Sequence, residues 1–484
     1  MYEKRLHPAA IFFQLLRTMK DMALGILPVI VVSFSRGMTW YIFLGIGVFF
    51  LLLLVYSSMK WLRFSYLVTE EELRIKQGVF IRQERRISKN RIQSIDLTQA
   101  LIHRIFGLTK VQIETAGSDE NVDASLSAVT FSEGESVQNE LKRKGKETET
   151  ESESDSEKEK VYPSKVVSYP RLALTGATSD NAILIIGLLW LLFSQANQII
   201  PEEIYQEVTV WVLSLALQLL ISLIIGSVFV VWGAGIVWTI IKYANFTITR
   251  YDTELYMTYG LIEKRQRTIP VNRVQAVIVK ENLIRQIFGL CYIYVEVAGG
   301  VSGGRMEEST VYLIPILRKN QVPAFLDKYL PEYYREEPEL KRPPFKSIPY
   351  YVWQGLLVSV VAIVAVSIFA PAWVLVPVAA IVLFTGWGVF CWQTSGISYD
   401  DTYLNLRFRK VSRETVTLKK KRLQAFEKKD NWLYRKQQLA TIDVAVLNNT
   451  AGRHFIVPAL EESDITEASS RFSSVSRIHV GDAD

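Results

Sequence analysis

Asn90-Arg91-Ile92-Gln93 and Ile105-Phe106-Gly107-Leu108 lie inside Phe64–Gly117, and that stretch decides the fold because it comes back. Slid forward by 182 positions (Asn90 to Asn272), it falls without a gap on Phe246–Gly299, where Asn272-Arg273-Val274-Gln275 and Ile287-Phe288-Gly289-Leu290 answer it. Leu73, Gly78 and Ala116-Gly117 meet Leu255, Gly260 and Ala298-Gly299. A weaker third copy starts near Ile397. There, 149 positions past the second (Asn272 to Lys421), Lys421-Arg422-Leu423-Gln424-Ala425 stands on Asn272-Arg273-Val274-Gln275-Ala276. Each copy follows an uncharged block. A period this long indicates duplicated domains rather than a solenoid. The chain therefore reads as three repeats of membrane segments followed by a polar module.

Composition agrees with that division. A chain of 484 residues has room for about three domains. Mean hydropathy is positive, +0.16, although 21% of residues are charged, which requires charge and apolar character to be segregated along the chain. The uncharged runs Met22–Ser35, Gly37–Met59, Asn181–Pro201, Val208–Ile241 and Ser347–Tyr399 make six spans in three hairpins, each needing about 20 residues. Val208–Ile241 is too long for one upright span, so it tilts, extends into water or breaks at Gly233 or Gly235. Lysine and arginine are nearly absent from the hairpin tips, where only Arg36 falls. They gather at the other ends as Lys4, Arg5, Lys60, Arg63, Lys242, Lys341 and Lys346. By the positive-inside rule the modules and both termini are cytoplasmic.

The segments run as follows. Residues 1–63 hold the N-terminal segment and first hairpin, 64–143 the first module, and 144–178 an acidic insert and linker. Residues 179–241 hold the second hairpin, 242–330 the second module, 331–350 a linker, 351–394 the third hairpin and 395–484 the third module. Glu133–Lys160 interrupts the module pattern, and Glu147–Glu157 is too polar to offset ordering entropy, so this segment reads as a disordered tether. Within the modules, Glu254-Leu-Tyr-Met-Thr-Tyr259 and Leu290-Cys-Tyr-Ile-Tyr-Val-Glu-Val297 read as strands. Gly78 and Gly260 punctuate them, as hairpin turns needing positive φ would. A last helix, Lys319–Tyr329, closes the module. The expected fold class is an α-helical membrane protein carrying three repeated β-rich cytoplasmic modules.

This arrangement resembles the bacterial pleckstrin-homology-like, membrane-flanked domain family in its three-module layout. The resemblance rests on the paired spans, on Asn-Arg-Ile/Val-Gln and on Ile-Phe-Gly-Leu. It implies that each module is a bent antiparallel sheet or barrel with a C-terminal helix. It also implies a role in envelope maintenance or stress resistance, with a shorter membrane-flanked relative as partner. The third copy departs from the pattern, with Lys421 in place of Asn and Gln438 where Phe-Gly-Leu has its glycine.

Basic residues are the candidate binding groups. Arg91, Arg273 and Arg422 share one repeat position, and a guanidinium at a loop–strand junction can hold a phosphate in bidentate fashion or satisfy loop carbonyls. Further clusters recur after the glycine turn: Arg82, Arg85 and Arg86; Lys264, Arg265 and Arg267; and Lys419, Lys420 and Lys421. Beside an anionic leaflet each such charge gains about 1 kcal/mol, so the expected partners are the bilayer, its anionic head groups and proteins, with homo-oligomers open. No recognised nucleic-acid motif accompanies the charge, and tethering argues against nucleic acid. No catalytic, cofactor-binding or metal residues are expected: the histidines are scattered, two cysteines make no CxxC, and no HExxH, GxSxG or phosphate-binding loop occurs. The expected function is a non-enzymatic membrane scaffold. A transporter or lipid flippase component is the alternative, and it would call for intramembrane charges that the runs lack.

Overall fold

The structure is a computed structural model. It describes residues 3–16, 18–19, 21–22, 39–115, 124–142, 162–179, 210–298, 310–335, 339–369, 375–448 and 452–473. The expectations for residues 23–35, for the acidic tether at 144–160 and for Asn181–Pro201 lie outside the described residues.

Each repeat is built from two antiparallel blocks joined by one 3-10 turn. In the first repeat, helix α1 (Thr39–Leu62) leads to β1 (Ser65–Val68), β2 (Glu72–Gln77) and β3 (Gln83–Ser88). The turn Lys89–Arg91 follows, then β4 (Ile92–Gln99), the short α2 (Leu101–Ile105), β5 (Leu108–Thr115), β6 (Ala124–Thr130) and the closing helix α3 (Phe131–Lys142). The second repeat begins with β7 (Ser164–Val166), α4 (Tyr169–Ala177) and α5 (Val210–Tyr243). It continues with β8 (Thr247–Arg250), β9 (Glu254–Tyr259), β10 (Lys264–Pro270), β11 (Val274–Glu281), α6 (Leu283–Ile287), β12 (Leu290–Val297), β13 (Thr310–Arg318) and α7 (Val322–Tyr329). The third runs α8 (Ile348–Phe369), α9 (Leu375–Thr394), β14 (Gly396–Tyr399), β15 (Tyr403–Arg409), β16 (Arg413–Lys419), β17 (Leu423–Lys429), α10 (Trp432–Lys436), β18 (Leu439–Val446), β19 (Arg453–Glu461) and α11 (Glu462–Ser473). Gly78 and Gly260 have φ of +112° and +106°, the conformation that only glycine adopts without strain.

The fold class needs correcting. About 46% of the structure is helix and 36% strand, arranged in several β-sheets, which is not an α-helical membrane protein. Among the described residues two helical stretches, Gly226–Tyr243 and Phe345–Ile368, are long and apolar enough to cross a bilayer, not six; Gly47–Leu62 and Val378–Thr394 are apolar but shorter. The physical reason is the size of the modules, which contribute nineteen named strands beside the apolar helices. Val208–Ile241 does not break, since α5 is one helix of 34 residues, about 51 Å at 1.5 Å per residue.

Two compact units partition the chain, the first containing Met1–Tyr162 and Tyr256–Pro270, the second Pro163–Leu255, Val271–Gly300 and Ser309–Asp484. In the first, β1-β2-β3 form one sheet, and β6-β5-β4-β10 run in order in another. Its core is Leu73, Ile95, Leu97, Leu108, Val111, Ile113 and Leu126 beneath Val137 and Leu141 of α3. Glu133–Lys142, within the first module, makes up most of this packed helix. In the second unit β13-β12-β11-β16-β15-β14 make a six-stranded sheet, and β17-β18-β19 a separate one. One apolar cluster there joins Ile278 and Tyr294 of the second repeat to Leu404, Val416, Ile442 and Phe455 of the third.

Residues 162–178, expected as linker, are folded as well. Lys165 pairs with Ile248, as Lys4 bridges Tyr66 and Lys341 bridges Ile397. Tyr66, Ile248 and Ile397 are one repeat position, so every repeat opens with a lysine that pairs there, in a short strand at Lys165 and as a single bridge at Lys4 and Lys341. Lys4 and Lys341 reach acids in the first turn of the closing helix, Glu133 at 3.4 Å and Asp464 at 2.7 Å. Lys165 instead stands 5.4 Å from the Phe325 ring, and burial depresses its ammonium pKa, with Arg171 and Lys328 adding to the effect.

Candidate functional site

The basic residues singled out above occupy two kinds of position. In the second and third repeats most are engaged in packing. Arg267 is buried, and Lys264 and Arg265 sit opposite Gln99 and Thr98 across the β4–β10 pair. Arg265 also holds Glu263 at 3.0 Å. Lys419 lies 4.4 Å from the Tyr333 ring; burial, reinforced by Arg422, lowers its pKa, and Glu332 partly opposes the shift. Lys420 donates to the Arg471 carbonyl and Arg422 to that of Asn272. Arg273 lies in the 3-10 turn, its carbonyl accepting from Gln275 Nε2 at 2.8 Å. Lys421 is exposed. In the first repeat Arg82, Arg85, Arg86 and Arg91 are all exposed on or beside β3. The structure therefore does not gather the twelve residues into one surface.

What it builds with the strand-borne charges is a joint between repeats. β16 of the third repeat runs antiparallel along β11 of the second, from Ala276 opposite Leu418 to Glu281 opposite Arg413. Glu281 is nearly fully buried and takes both Nε (3.2 Å) and Nη2 of Arg413. Beside it Lys280 meets Glu414 at 3.2 Å, whose Oε2 also accepts from Tyr294 Oη at 3.3 Å. β10 of the second repeat lies along β4 of the first in the same manner. The registers agree: Thr98 faces Arg265, and the repeat equivalents of those two residues, Lys280 and Glu414, face each other.

A second feature lies at the foot of α5. A cavity of about 230 Å³ is lined by Trp238, Lys242 and Tyr243 of α5, Thr175 and Ser179 beside α4, Asn282 and Arg285 of α6, and Tyr292, Tyr312 and Pro315 of the sheet. Asn282 caps α6, accepting from Arg285 N at 2.7 Å, and so fixes the position of Arg285. The guanidinium is 4% exposed. It donates to Thr178 Oγ1 (3.0 Å), the Thr175 carbonyl (3.0 Å) and the Pro315 carbonyl (3.3 Å), and stacks 4.8 Å from Tyr292. Lys242 is exposed at the rim. The cavity thus joins one exposed cation, Lys242, to hydroxyls and aromatic walls at the end of an apolar helix. Cys291 is buried, and burial, with Glu281 adding to it, pushes its thiol up to about 12, so it is no nucleophile.

The sequence reading does not find this cavity; its trace there is Arg285, which the 182-residue repeat sets on His103. At that repeat position His103 stacks on Phe13 at 3.8 Å, Arg285 grips α4, and Tyr434 meets Tyr350 edge-on at 4.5 Å. All three pin the short helix to a segment that precedes or enters the apolar block, and only arginine brings charge. No group of three or more histidine, cysteine or acidic residues among the described residues could hold a metal.

Residues 22–145, 207–333 and 351–474 each match the family described as Bacterial PH domain. The chain is also similar to the UPF0699 transmembrane protein YdbT of Bacillus subtilis (strain 168), 29% identical over 474 residues, spanning 95% of this chain and 96% of that protein. No solved structure matches the chain.

Proposed function

We propose that this chain, which belongs to the bacterial PH domain family, is a non-enzymatic scaffold of the bacterial cell membrane, its modules and termini on the cytoplasmic side. The observation that carries the reading is the joint: the charged strands of one repeat are spent on holding the next repeat in a fixed register. Strands paired across repeats leave their outer faces, rather than the paired edges, to meet protein partners. The envelope-maintenance role implied by the family resemblance is the setting in which such a scaffold would act. Purified gently from native membranes, the full-length protein should carry a protein partner at fixed stoichiometry. Arg413→Glu, which breaks the joint, should release that partner while the chain stays in the membrane. Recovery of the chain alone under every mild condition would overturn the reading.

Contact with anionic lipid is favoured by the cavity beside Lys242 and Arg285. In nanodiscs of mixed composition the protein should retain anionic over zwitterionic lipid, and Lys242→Ala should reduce that preference severalfold. Equal retention of both lipids would remove the lipid part and leave the scaffold standing.

A further inference from the structure

Pairing between repeats follows one rule. The last strand of a repeat's first block lies along the first strand of the preceding repeat's second block: β10 on β4, and β16 on β11. Two strands remain over. β3 ends its sheet, and β17 ends its own. Among the described residues no strand covers the outer side of either. Burial records the difference. β10 buries four consecutive residues and β11 most of its length, whereas β3 buries only Ile87 and β17 none.

We infer that β17 of one copy pairs with β3 of the next, so that the chain assembles head to tail with itself. Carrying the register of the two existing joints onto these edges places Asp430 opposite Arg82, Lys429 opposite Gln83, Lys428 opposite Glu84, Glu427 opposite Arg85 and Ala425 opposite Ile87. With Phe426 opposite Arg86 the register gives six pairs, and three of the six match opposite charges. The first stands where Glu281 holds Arg413, and the second where Lys280 faces Glu414. Charged edge strands ordinarily prevent strand addition; here the signs alternate so that only this register satisfies them, and the complement is this chain's own other edge. In isolation the same groups make local surface pairs, Arg86 with Glu84 at 2.9 Å, Lys428 with Glu462 at 2.6 Å and Arg435 with Asp430 at 2.9 Å. Such pairs are worth little individually, so exchanging them costs little. A contact between two different surfaces is heterologous and yields a ring or an open filament. The inference extends the scaffold reading and is independent of the lipid cavity.

Directly opposite residues of an antiparallel pair lie within disulfide reach, and the two native cysteines are buried. The full chain is expressed in its native membrane carrying Gln83→Cys, Lys429→Cys or both, and is oxidised mildly. Co-expressed single variants should give a covalent dimer, and the double variant a ladder. Gln83→Cys with Phe426→Cys, three residues out of register, should give neither. Glu84→Lys in the double-cysteine chain should cut the ladder about fivefold, and added Lys428→Glu should restore it, as reversal of one cross-strand pair dictates. A chain that stays monomeric, cross-links that ignore register or charge, or capture of a different protein by Lys429→Cys with none by Gln83→Cys would each overturn the inference. A monomeric scaffold would fail here and still pass the co-purification test above.

Discussion

Removing Glu281 tests whether the repeats are held by their charged joint. Its carboxylate is 3% exposed and takes the Arg413 guanidinium, itself 14% exposed, in a two-point contact. Glu281→Ala leaves that guanidinium in a mostly dry strand interface. Breaking a buried pair by deleting one partner costs about 3–5 kcal/mol. The residual exposure of Arg413 and the neighbouring Lys280–Glu414 pair put the expected loss near the lower end, about 3 kcal/mol. At 1.4 kcal/mol per factor of ten, amides of β11 and β16 that exchange through opening of this joint should exchange roughly 150-fold faster. Hydrogen exchange with mass spectrometry on the full chain reads that directly. Replacing both partners by methionine removes the stranded charge along with the pair, and should fall within about 1 kcal/mol of the wild type. Acceleration below about threefold in Glu281→Ala, or equal acceleration in β4 and β5, would refute the reasoning: the first would mean that the apolar cluster alone holds the joint, the second that the damage is not local.

Two further outcomes are expected. Burial holds the His103 imidazole below its ordinary pKa of 6.5, against a weaker opposing effect from its contact with the Ser127 carbonyl. Because the folded value is depressed, protonation favours the unfolded state, so docking of residues 3–16 is fully stable above about pH 6.5 and weakens as pH falls. Proteolysis of that segment should quicken between about pH 7.5 and 5.5, and His103→Phe should abolish the pH effect while keeping the stack on Phe13. Gln438 has φ +54° where Gly107 and Gly289 have +64° and +61°. Gln438→Gly should relieve that left-handed strain and stabilise the third module by about 1 kcal/mol, seen as a rise in apparent Tm, and an unchanged or lower Tm would mean that the side chain repays its conformation.

The two halves of this molecule differ in how openly the sequence carries them, and the difference is physical. Within a repeat, strand order follows from local signals: alternation in Leu290–Val297, glycine turns at Gly78 and Gly260, and the recurrence of Ile-Phe-Gly-Leu. Those signals lie close together, and each suffices to place its own element. The opening pairings at Lys4, Lys165 and Lys341 are not legible in the sequence, because a strand of three residues or a single bridge has no period to detect and an entire apolar block separates it from its partner. The balance of helix and sheet was misjudged because uncharged runs attract attention in proportion to their length, whereas short strands accumulate unseen. The candidate site was hardest of all. A list of basic residues does not say which will be covered, and Arg267, Lys419 and Arg422 look no different in sequence from Arg82 and Arg85. What separates them is whether the strand lies along the repeat that precedes it. Burial of a given charge is then a property of its position in the array of repeats, and the same arginine-rich strand serves as an interior joint in the middle of the chain and as an open edge at its start.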